Sequence, residues 1–121
     1  MHELSIALSI LDIATEESES RGGVNIVAIH LQLGPLSGVL KEALLSAFEM
    51  AREQSLFPAS RLIIEDVPLV VFCPICKLEQ TIAAFPDLYC PTCKTPCGNI
   101  IRGRELEIVA MELEEPELEQ R

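Results

Sequence analysis

Residues 73–93 read CPICKLEQTIAAFPDLYCPTC, and their spacing decides how the chain is divided. Cys73 and Cys76 flank Pro74-Ile75, Cys90 and Cys93 flank Pro91-Thr92, and thirteen residues separate the two pairs. Two residues between cysteines let both thiolates of a pair reach one ion from a tight turn. Two such turns close a tetrahedral shell around zinc and leave no open position. Iron accepts the same four thiolates. Two disulfides suit an oxidising compartment, and a redox pair is expected to open a helix in a βαβ setting. A closed shell does no chemistry on a substrate, so the segment is expected to fold and dock. Zinc would supply free energy that a short, proline-rich stretch cannot gain from burial. Cys97, in Cys93-Lys-Thr-Pro-Cys97, is either a spare thiol or an alternative ligand for Cys93 or Cys90.

The flanks have a different texture. Val70 to Ile101 holds four of the eight prolines and all five cysteines. Before it, Leu4, Ala7, Leu8, Leu11 and Ala14, widened by Ile6, Ile10 and Ile13, recur at helical period to about Glu19. Arg21-Gly22-Gly23 ends that helix. Val24 to Leu33 alternates, with Val27, Ile29, Leu31 and Leu33 on one face and Ala28, His30 and Gln32 on the other, which predicts a strand. Gly34-Pro35 stops it. A second helix is predicted from Val39 to Ser55 through Leu40, Ala43, Leu44, Ala47 and Ala51, and a second strand from Arg61 to Val67. A third strand follows over Arg104 to Leu113, and the tail from Glu114 is polar.

This order predicts an α+β fold in which two helices pack on a small three-stranded sheet. That domain would comprise residues 1–69 completed by 104–121, with residues 70–103 inserted as a four-cysteine, zinc-ribbon-like domain.

The chain has 121 residues, enough for one ordinary domain with a smaller module, and its core must be aliphatic because aromatics are only 4%. Nineteen acidic against nine basic residues give a net charge of −10, which repels phosphate backbones and anionic lipid. No nucleic acid and no membrane are expected as partners. No segment reaches the ~20 apolar residues of a membrane helix, and nothing reads as a signal peptide, so a cytoplasmic location is expected. Catalytic signatures such as GxSxG, a phosphate loop or HExxH are missing, so the chain is not expected to be an enzyme.

The first residues, MHELS, offer a second metal site. The Met1 α-amine, Nδ1 of His2 and deprotonated backbone amides of His2 and Glu3 can present four nitrogens in small chelate rings. Strong-field nitrogens in a plane suit Ni²⁺ or Cu²⁺ rather than zinc. His30, on a mixed strand face, reads as a structural histidine.

The opening MHELSIALSI, then LGPLSGVLKEALLSAFE, CPIC…CPTC and GRELEI together resemble the HypA/HybF family of nickel chaperones in NiFe-hydrogenase maturation. The resemblance runs in order from Met1 to about Leu113. It implies Ni²⁺ as transported cargo, bound by Met1, His2 and Glu3, and structural Zn²⁺ held by Cys73, Cys76, Cys90 and Cys93. It further implies a HypB-type GTPase and the hydrogenase large-subunit precursor as partners of a monomer or weak homodimer. Two features depart from the family pattern: Lys77 and Lys94 stand where such knuckles usually carry Gly, and Cys97 is additional. The competing reading is a zinc-ribbon adaptor that only docks proteins.

Overall fold

The computed structural model describes residues 3–83 and 88–114. Its elements are α1 (Glu3–Ser20), β1 (Ile26–Leu33), α2 (Lys41–Arg52), β2 (Arg61–Asp66), β3 (Leu69–Cys73), β4 (Leu78–Ile82), β5 (Asn99–Arg102) and β6 (Leu106–Leu113). Two three-stranded sheets result, in the orders β2-β1-β6 and β4-β3-β5. Contacts divide the chain into two compact units, one of Met1–Leu31, Leu40–Ile64 and Ile108–Arg121, the other of Gln32–Val39 and Glu65–Glu107.

In the first unit α1 packs against α2. The α1 stripe is narrower than its apolar content: Ala7, Ile10, Leu11 and Ala14 are buried, whereas Leu4, Leu8 and Ile13 are each about half exposed. Ser18 completes the buried stripe, and its hydroxyl donates to the carbonyl of Val24, so this polar group enters the core with a partner. The helix ends as the glycine pair requires. Gly22 and Gly23 take φ of 81° and 89°, and the Gly23 N–H donates to the Ser18 carbonyl at 2.8 Å. The Gly22 N–H reaches the Glu19 carbonyl at 3.3 Å, completing a Schellman pattern. Arg21 Nε lies 2.6 Å from Glu17 Oε2 and offsets part of the acidic last turn.

Helix α2 is shorter than its periodicity suggests. Leu44, Phe48 and Ala51 are buried, and residues 53–56 leave the helix as turns. Arg52 fixes that exit by donating from Nη1 to the Ser60 carbonyl at 2.6 Å, while Ser60 Oγ donates to the Phe57 carbonyl at 2.8 Å.

Central strand β1 buries residues on both faces. Ile29, Leu31 and Leu33 are buried as the alternation predicts, but so are Ile26 and Ala28, while Val27 is half-buried. Burial on both faces requires that other parts of the chain cover each of them, which simple alternation does not reveal. His30 Nε2 lies 2.7 Å from Glu112 Oε2 on neighbouring β6, which accounts for that histidine structurally.

The second unit contains three strands where the sequence shows only a cysteine-rich segment. β3 pairs antiparallel with β4, Leu69 opposite Ile82 and Cys73 opposite Leu78. It also pairs antiparallel with β5, with an irregularity between Val70 and Val71. The core of this unit is small: Leu69, Val71, Cys73, Ile82, Cys90 and Cys97, edged by Leu36, Cys76, Leu88 and Ile100.

Candidate metal centre

Each cysteine pair sits in a turn built by its own backbone. β3 ends at Cys73, and the chain reverses through Pro74-Ile75 into β4. The Lys77 N–H donates to the Cys73 carbonyl at 2.7 Å, and the Cys76 N–H points at Cys73 Sγ at 3.3 Å. The second turn repeats the pattern: Lys94 N–H to Cys90 carbonyl at 2.9 Å, Cys93 N–H to Cys90 Sγ at 3.5 Å. At Cys90 the amide donor favours the thiolate, the form that binds metal.

The four sulfurs of Cys73, Cys76, Cys90 and Cys93 lie within 4.8 Å of one another. Sγ of Cys73 and Cys93 are 3.5 Å apart, and those of Cys76 and Cys90 are 3.9 Å apart. A tetrahedron with Zn–S bonds of about 2.3 Å has sulfur–sulfur edges of about 3.8 Å. The cage therefore has the size of a zinc tetrathiolate, and both of these distances are far longer than the ~2.05 Å of a disulfide. All five cysteines are free. The cluster is suited to structural zinc.

The metal-free thiols are not equivalent. The Thr95 hydroxyl, 3.1 Å from Cys93 Sγ, followed by the Thr95 backbone amide, lowers the Cys93 thiol to about 6. Hydrogen bonding to Cys93, reinforced by burial, pushes Cys76 up to about 12. The Cys93 amide lowers Cys90. The second turn thus presents thiolates first, while Cys76 must lose its proton to complete the shell. Zinc uptake is expected to release protons, and zinc affinity to fall as the pH drops, because each added proton occupies a ligand. Chelator competition at several pH values measures this; an affinity that does not change with pH would contradict it.

Cys97 is not one of the four, although it shares their core with Cys73 and Cys90. It is buried in the core, and its thiol donates to the Thr95 carbonyl at 3.3 Å. Burial raises its pKa. This geometry is that of a core thiol.

The other predicted site lies mostly outside the described residues: Met1 and His2 are not among them. Glu3 opens α1, and its Oε2 accepts from the Leu40 N–H at 3.3 Å, at the start of α2. That bond satisfies the amide of Leu40 itself, the N-cap residue, whose own side chain makes no cap hydrogen bond. The signal was absent from sequence, because Glu3 and Leu40 are adjacent only through the packing of two helices.

The family described as "Hydrogenase/urease nickel incorporation, metallochaperone, hypA" matches residues 1–113. The chain belongs to the HypA family. A hydrogenase maturation factor HypA from Chloroflexus aurantiacus is 49% identical over 113 residues, covering 93% of this chain and 98% of the relative. Its counterpart in Thermomicrobium roseum is 37% identical over 128 residues, with 93% and 98% covered. The solution structure of the Ni metallochaperone HypA from Helicobacter pylori superposes with a TM-score of 0.63 at 26% identity, covering 93% of this chain and 97% of that one. A second HypA solution structure gives 0.67 at 26% identity. These HypA likenesses agree with the α+β architecture of two helices, small sheets and a four-cysteine module. Among the described residues no helix is long and apolar enough to cross a membrane.

Proposed function

We propose that this chain carries Ni²⁺ at its N-terminus and delivers it to the NiFe-hydrogenase large-subunit precursor, in concert with a HypB-type GTPase. The observation that carries this reading is the HypA match over residues 1–113, which spans both the opening tripeptide and the cysteine pairs. The division of labour follows chemistry. Cys73, Cys76, Cys90 and Cys93 would hold zinc in a closed thiolate shell that stabilises the insert of residues 70–103. Met1, His2 and Glu3, on the domain of residues 1–69 and 104–121, would hold nickel at an open terminus from which ligand exchange can remove it. Glu3 would contribute its carboxylate or its backbone amide, and the carboxylate also accepts from the Leu40 amide. The protein would act as a cytoplasmic carrier rather than an enzyme, as a monomer or weak homodimer.

The test is a nickel titration of protein with its native N-terminus, comparing wild type with His2→Ala while zinc is counted in both. A planar-nickel absorption band is expected only in wild type, with unchanged zinc. Lowering the pH should weaken nickel binding, because protons compete for the imidazole, the amine and the backbone amides. If both proteins bind nickel equally, or neither does, the zinc-ribbon adaptor becomes the better reading.

A further inference from the structure

The described residues contain two non-glycine positions at positive φ, Lys77 at 61° and Lys94 at 65°. A Cβ disfavours this left-handed backbone, which glycine adopts freely. Both positions directly follow the second cysteine of a pair, and both close the same turn by donating to the carbonyl of its first cysteine, Cys73 or Cys90. The turn therefore requires the left-handed angle, and glycine would give it without strain. The chain instead places lysine at both sites, although only nine of its 121 residues are basic. Backbone strain that recurs with one side-chain type calls for a function of that side chain.

Charge supplies it. Four thiolates around a divalent zinc leave the centre with two negative charges, in a chain that already carries −10. We propose that Lys77 and Lys94 are charge-compensating residues of the zinc centre, one ammonium on each cysteine turn, that slow loss of the metal. Lys94 is held on its turn, its Nζ donating to the Pro91 carbonyl at 3.3 Å between the two cysteines of the second pair. Lys77 occupies the equivalent position on the first. Both side chains are exposed, so water screens them and the effect is moderate.

The inference rests on the zinc reading of the four cysteines, which zinc content of the wild type tests separately. For the lysines, zinc-loaded protein is mixed with excess chromophoric chelator at low salt and the release rate is recorded. Lys77→Gly/Lys94→Gly is expected to release zinc roughly three- to tenfold faster, the scale of two exposed charge interactions. Lys77→Arg/Lys94→Arg should match wild type, and Lys77→Asn/Lys94→Asn, neutral but tolerant of the backbone angle, should resemble the glycine variant. Salt at about 1 M should narrow the difference, because screening then acts within a few ångströms. Strain relief alone gives the opposite sign. Release from the glycine variant at the wild-type rate or slower overturns the proposal. So does faster release that neither salt narrows nor arginine restores, since flexibility rather than charge would then be the cause.

Discussion

Cys73→Ser is expected to abolish zinc retention and unfold the β4-β3-β5 sheet, leaving α1 and α2 folded. Cys73 ends the central strand of that sheet and is fully buried. Its sulfur lies 3.5 Å from Cys93 Sγ and accepts from the Cys76 amide. Serine replaces a soft thiolate with a neutral hydroxyl on a shorter bond, so the shell loses one ligand and gains a polar group in an apolar core. The surrounding core cannot absorb this, because three of its six buried members are themselves cysteines. Structural zinc in small modules contributes about 10–16 kcal/mol at neutral pH, more than so small a core supplies. Metal analysis should find no zinc at the site after dialysis. Amide exchange should lose protection in β3 while α2 keeps it. Cys97→Ser is the matched control: it removes a buried thiol outside the group of four, and should keep its zinc at a cost of about 1–2 kcal/mol. Full zinc content in Cys73→Ser would show that Cys97 can take the vacated place.

The same cysteines show what a sequence discloses. A metal shell is legible because chelation fixes local spacing, and Cys-x-x-Cys has few other uses in a reducing setting. The helices were legible from their period, since Ala7, Ile10, Leu11 and Ala14 recur on one face. Their depth was not, because Leu4, Leu8 and Ile13 look equally apolar yet lie about half exposed. Strands β3, β4 and β5 span only four or five residues each, too short for alternation to rise above noise. They exist because β3 pairs on both sides, a long-range property. Lys77 and Lys94 were visible as departures from glycine, but only the backbone angles show that the turn keeps its left-handed shape without it. The contact of Glu3 with Leu40 crosses from one helix to another, and no local pattern carries it.

Gly34→Ala is expected to destabilise the second unit by about 3–5 kcal/mol, far more than its place in a loop suggests. The sequence marks Gly34-Pro35 as the end of a strand, a role many residues could fill. The structure gives a stricter reason. A Cβ on Gly34 would stand 2.2 Å from the Gly103 oxygen, 2.3 Å from its carbonyl carbon and 2.9 Å from the Arg104 nitrogen. All three are backbone atoms, so no side-chain rotation relieves the clash. The chain would have to separate there, and two hydrogen bonds hold it: Gly34 N–H to the Glu105 carbonyl at 2.9 Å and Leu36 N–H to the Gly103 carbonyl at 2.7 Å. Losing them strips buried groups of their partners and draws Leu36 from the cysteine-lined core that it edges. Gly103 is closely packed in its turn. Gly103 has φ of 131°, and a Cβ there would stand 2.9 Å from Leu69 Cδ1. Gly98→Ala provides the contrast within the same unit, because a Cβ at Gly98 meets nothing within 4 Å and should shift stability by no more than about 0.5 kcal/mol. Denaturant melts of both zinc-loaded variants decide the matter. If Gly34→Ala and Gly98→Ala unfold together, close backbone approach is not what fixes glycine at position 34.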